Sequence, residues 1–262
     1  MSVETGPEVA PAPGARHRAR SPIIPPGPAP AVLTAGLAAL IAATAPFGPG
    51  ALTGAVVLLQ AVTAAGWFRL NGMWPARQGI ALAFAGGLAA DVTLLLVSRE
   101  REPEGLLATL GVWFLLLLVL QLRHRGSAEE RLDSLTATAA ATLLTVLAAG
   151  HLAAAELSGP AVAVTAAGAG AATLLRALPV PYLSLLLALA AGVGAGAVGE
   201  RLTDLGTDAL AFGAAGGLAA VLGLRVASYD FPSRFVHFTA GVALPLTAAA
   251  PFGYPLARAL LG

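Results

Sequence analysis

Cysteine and lysine are both absent from this 262-residue chain. Without cysteine there are no disulfides, no thiolate nucleophile and no Cys-ligated zinc or iron–sulfur cluster. Charge of either sign is scarce: 11% of residues are Asp, Glu, Lys or Arg, where a soluble domain carries roughly a quarter. Too few polar side chains remain to cover a water-facing surface, so the outer surface must meet lipid. A net charge of +1 also excludes nucleic acid as a partner, because neutralising phosphates needs clustered basic charge. No phosphate-cradling ATP motif occurs, so ATP-driven transport would need a separate subunit.

What is present is apolar: 57% of residues are hydrophobic and the mean hydropathy is +0.79. A membrane-crossing helix needs about 20 mostly apolar residues. That rule predicts an all-α, polytopic transmembrane helix bundle of about nine spans, near residues 30–47, 50–68, 78–98, 105–122, 134–155, 160–178, 182–199, 208–227 and 237–260. Pro46 to Gly50 divides the first pair of spans and Pro179-Val180-Pro181 divides the sixth from the seventh, since proline costs a helix one hydrogen bond. An eight-span alternative stays open because the sixth and ninth runs are weak or proline-broken. Residues 1–29, rich in proline and carrying Arg16, Arg18 and Arg20, read as a disordered basic cytoplasmic tail. Residues 30–262 form the transmembrane domain.

Orientation follows from arginine, which accumulates on the cytoplasmic side. An N-terminus inside places Arg16, Arg18, Arg20, Arg69, Arg77, Arg123, Arg125, Arg131, Arg176, Arg225 and Arg234 in the cytoplasm. Arg99, Arg101, Arg201 and Arg258 then lie outside, among Glu100, Glu102, Glu104, Glu156, Glu200, Asp204 and Asp208. With nine spans the C-terminus is outside. The expected location is the plasma membrane. The aromatic and basic loop of Trp67, Phe68, Arg69, Trp74 and Arg77 suits anionic lipid headgroups on the cytoplasmic face. The segment Ser228 to Phe238, with Asp230 and Arg234, reads as a second interfacial loop of that face.

Asp91 carries the most chemical information. A carboxylate inside the third span costs about 2.5 to 3.5 kcal/mol on insertion scales and marks an ion, proton or substrate path, or else a hydrogen bond that joins two helices. Gly86 and Gly87 just before it let another helix approach closely. His151, near the end of the fifth span, is a candidate partner for Asp91. Five residues separate it from Glu156, which puts the two on different helix faces and argues against a shared metal. Gly194 to Gly199 matches a dinucleotide-binding pattern, but that pattern needs a strand before it and a helix after it. Gly192 with Gly196, and Gly213 with Gly217, read instead as helix-packing pairs. Glu200, Asp204 and Asp208 read as a solvated acidic loop, with Thr207 or Asp208 capping the next helix. The runs Ala83 to Ala90 and Ala211 to Ala220 are similar, though a chain so rich in Ala and Gly repeats such runs by chance.

The layout of a Pro-rich basic tail, a short helical hairpin and the loop Gly66-Trp67-Phe68-Arg69-Leu70 resembles the bacterial phosphatidate cytidylyltransferase family. The stretch Arg131-Leu132-Asp133-Ser134-Leu135-Thr136-Ala137 is similar to part of that family's signature, displaced from near the C-terminus to mid-chain. The family's lysine-rich segment and its His-Gly-Gly are missing here, so the resemblance implies a lipid-handling membrane protein without assigning a catalytic residue. The chain also resembles multi-pass proteins of GC-rich actinobacteria, which implies no activity. Three classes follow: a transporter of a proton, ion or small solute built around Asp91; a non-catalytic scaffold or partner subunit, with homo-oligomers open; and a divergent lipid enzyme. The third is disfavoured, because two-metal phosphoryl chemistry needs converging carboxylates and that face offers only Glu129, Glu130, Asp133 and Asp230. No cofactor or metal is expected.

Overall fold

The structure, a computed structural model, describes residues 25–73, 76–123, 127–229 and 236–262. The basic tail up to residue 24, Trp74, Arg125 and the Asp230 and Arg234 pair lie outside the described residues. Ten α-helices follow in chain order: α1 Pro28–Thr44, α2 Pro49–Leu70, α3 Arg77–Leu96, α4 Glu102–Leu122, α5 Ala128–Ala148, α6 Gly150–Leu157, α7 Gly159–Arg176, α8 Pro181–Leu202, α9 Asp208–Ala227 and α10 Val236–Leu261. The protein is an all-α, multi-pass bundle. Eight stretches are long and apolar enough to cross a membrane, α5 and α6 together making one of them, and α7 falls outside that set.

Proline opens many of these helices. Pro28, Pro49, Pro103, Pro160 and Pro181 all lie in a first turn, where the missing N–H would have had no helical partner and the fixed φ already suits a helix. Between α1 and α2 the chain reverses through a single 3-10 turn at Ala45–Phe47 and through Gly48, whose φ of 90° favours glycine.

Two helix starts differ from the expectation. The fifth span, expected from residue 134, begins six residues earlier at Ala128, because Ser127 and Glu130 form a reciprocal capping box: the Glu130 N–H donates to Ser127 Oγ and the Ser127 N–H to Glu130 Oε2. Asp133 and Ser134 are therefore on a helix. The fourth span, expected from 105, begins at Glu102. Glu102, expected in an outer loop, is 1% exposed, and neither carboxylate oxygen has a hydrogen-bond partner among the described residues. Arg99, Arg258 and Glu156 are the charges that act on it.

Helix packing divides the molecule into α3, α4 and α5 on one side and α7, α8 and α9 on the other. The long helices α2 and α10 lie against each other between these groups, and α1 lies on α7. Small residues set the spacing. A Cβ on Gly192 would stand 2.8 Å from Gly217 Cα, and one on Gly213 would press on Gly192 and Gly196 of the facing helix. The two glycine pairs of α8 and α9 thus meet each other, which brings backbone against backbone. A Cβ on Gly66 would come within 2.8 Å of the Ala240 nitrogen, so α2 and α10 are nearly as close.

Candidate functional site

Polar side chains are rare in the bundle interior, and several of them gather where α2, α3 and α5 meet. The Gly87 backbone makes room for this: a Cβ there would stand 2.9 Å from Gln60 Cδ and 3.0 Å from Thr145 Cβ. Gly86, one residue earlier, admits Trp113 of α4 and Thr142 of α5 at similar range. Gln60 therefore lies directly against α3 and reaches Asp91, four residues beyond Gly87 and one turn along the same helix face.

Asp91 is 2% exposed. Gln60 Nε2 donates one hydrogen bond to Asp91 Oδ1 at 2.8 Å and another to the Thr145 carbonyl at 3.2 Å. The second bond fixes the amide's orientation, because a backbone carbonyl only accepts. Gln60 Oε1 and Asp91 Oδ2 are both buried and have no partner among the described residues. Both are acceptors. What the site lacks is a donor or a positive charge, and leaving two such oxygens dry is costly.

Hydroxyls lead away from this point along one face of α5. Thr138 donates to the Ser134 carbonyl at 2.7 Å and Thr142 to the Thr138 carbonyl at 2.8 Å, while the one Thr145 proton lies between the carbonyls of Ala83 at 2.7 Å and Thr142 at 2.9 Å. Ser134 and Thr138 line a cavity of about 510 Å³ between the ends of α2, α3, α4 and α5. Arg77 and Arg123 stand at its edge.

On the other flank of Gln60, the continuous helix α10 contains Pro245, Pro251 and Pro255. Thr63 of α2 donates to Leu59 at 2.7 Å, and its oxygen lies 2.7 Å from the Thr247 hydroxyl of α10. Since the Thr63 proton is already committed, Thr247 is the donor of that pair. His151 was considered as a partner for Asp91. Its Nε2 instead donates to the Leu246 carbonyl of α10 at 3.0 Å, which makes Nε2 the protonated nitrogen. His151 ties α6 to the proline-containing helix, while Gln60 holds Asp91.

The remaining candidates fall elsewhere. Glu200 and Asp204 are exposed and Asp208 is half-buried at the start of α9, where Thr207 occupies the N-cap position without a side-chain cap. Glu129 and Asp133 are exposed, and Glu130 serves the capping box. Among the described residues, no three His, Asp or Glu side chains gather as a metal site would require. No family model, no curated protein and no solved structure matches the chain.

Proposed function

We propose that the protein is a proton-linked membrane transporter in which Asp91 takes up and releases the proton and Gln60 positions it. The observation that carries this reading is the pair of unpartnered buried oxygens, Asp91 Oδ2 and Gln60 Oε1. A proton on Oδ2 supplies a donor where one is missing, and its departure leaves a carboxylate still held by Gln60. The hydroxyls of Thr145, Thr142, Thr138 and Ser134 give a direction of access from the cavity. The proline-containing α10 meets α2 beside Gln60, through Thr63 and Thr247. With N-terminus inside, the arginine-rich end would face the cytoplasm of a bacterial plasma membrane.

Asp91→Asn tests the proposal, since it keeps shape and hydrogen bonding while abolishing titration. In liposomes, pH-difference infrared spectra of the wild type should contain the band of a protonated carboxyl in dry surroundings. The Asn variant should fold, lose that band and stop dissipating an imposed pH gradient. A wild-type spectrum without a buried-carboxyl band, or an Asn variant whose proton flux is unchanged, would refute the assignment.

A further inference from the structure

The large cavity at the arginine-rich end has a chemistry of its own. It is bounded by the N-terminal turn of α3, the C-terminal turn of α4 and the first turns of α5. Arg77 and Arg123 lie at its rim on two different helices, both exposed. Neither guanidinium has a hydrogen-bond or ion-pair partner among the described residues. The acidic residues of this end, Glu129, Glu130 and Asp133, do not line the cavity. Deeper in, the walls are Leu82, Leu117, Leu120 and Leu135, with Phe68 closing one side. A volume of about 510 Å³ is within the usual range for organic ligands, roughly 300 to 1,000 Å³, and far exceeds the needs of a phosphate ion.

Two unpaired cations over a leucine-lined recess, at the level where spanning helices end, form an amphipathic site. We propose that this cavity binds the headgroup and upper acyl chain of an anionic phospholipid, entering from the bilayer beside α4. Arg77 and Arg123 converge on the phosphate, as arginine does through its planar fork of donors. The leucines receive the start of the chain. Lateral entry is available because α4 is the helix least covered by its neighbours, with Leu115, Leu118, Val119 and Leu122 exposed. The cavity is the one from which Asp91 is proposed to be reached, but its test reads lipid retention and not proton flux, so the two readings can fail separately.

Native mass spectrometry of the full chain in detergent tests it, with phosphatidylglycerol, phosphatidylcholine and inorganic phosphate as probes. The wild type should retain phosphatidylglycerol about tenfold more tightly than the net-neutral phosphatidylcholine, a preference set by charge at the headgroup. The double variant Arg77→Gln, Arg123→Gln should lose that preference, while Arg201→Gln at the opposite end should keep it. Leu82→Trp, which leaves both arginines but fills the recess, should also weaken retention. Equal retention of the two lipids by the wild type would overturn the proposal, as would an unchanged double variant. Displacement of the lipid by equimolar inorganic phosphate would overturn it too, because the site would then be one for free phosphate.

Discussion

At Gln60 a single amide does two jobs whose energies can be separated. Its NH2 group serves both Asp91 Oδ1 and the Thr145 carbonyl, so Gln60→Leu strips a buried carboxyl of its one partner among the described residues. Leaving one partner of a buried pair unsatisfied costs about 1 to 3 kcal/mol, whereas replacing both by apolar groups can be nearly neutral. Gln60→Leu should therefore lower the unfolding midpoint in detergent, and adding Asp91→Leu should recover part of the loss. A double variant less stable than either single one would show that the two side chains are not a coupled pair. Asp91 stood out in the sequence because a charge in an apolar run is conspicuous. Gln60 did not, since a neutral amide in a run of Ala, Val and Leu interrupts hydropathy very little. The signal was present in principle: an amide amid apolar residues needs a partner. Its identity depends on which helices are neighbours, and hydropathy does not encode that. His151 was misdirected for the same reason, its partner being a backbone carbonyl, which no sequence displays.

Among the elements, α10 shows how a proline-containing helix stays satisfied inside a bilayer. Pro245 has no N–H for the carbonyl of Gly241, four residues back. Thr34 of α1 reaches the vacancy: its one hydroxyl proton is shared among the Gly241 oxygen at 3.2 Å, that of Val242 at 3.0 Å and that of Pro30 in its own helix at 3.0 Å. Such side-chain rescue is what makes proline tolerable in spanning helices. A double-mutant cycle should reveal the coupling. Thr34→Val should cost about 0.5 to 2 kcal/mol in the wild type and distinctly less after Pro245→Ala, whose new N–H can reach Gly241. Equal costs in the two backgrounds, measured by unfolding in detergent, would mean that Thr34 does not compensate for the proline. Helix positions along this chain were legible because proline-rich breaks and apolar length specify them almost independently of neighbours. The starts of α4 and α5 were misplaced where charged residues continue a helix: Glu102 is buried at one, and a capping box captures Ser127 to Glu130 at the other.

For the whole molecule, the decisive element is α7. Its composition of Ala, Gly and Thr keeps it outside the set of apolar spans, so hydropathy alone leaves eight crossings among the described residues. Geometry supplies what hydropathy cannot. With 18 residues it is about 27 Å long at 1.5 Å per residue, close to the thickness of a bilayer's hydrocarbon core, roughly 30 Å. One end, at Gly159, packs on Ala45 and Pro46; further along, Gly170 faces Ala35 and Ala38. At its other end, Thr173 and Arg176 share a second cavity with Gly27 and Ala31. α7 therefore runs antiparallel to the apolar α1 along its length, the arrangement expected of a helix that crosses the same layer. It does so shielded from lipid, with most of its residues buried among α1, α8 and α9, which explains why it can be weakly apolar. Counted as a ninth crossing, it would make the number odd and put the termini on opposite sides, which reporter fusions test. Alkaline phosphatase fused after Gly262 should be active and the same enzyme fused after Ala177 inactive, while a fluorescent protein that folds only in the cytoplasm should report the reverse. A C-terminal phosphatase fusion without activity, together with a fluorescent C-terminal fusion, would place both termini in the cytoplasm and make α7 a buried helix that does not cross.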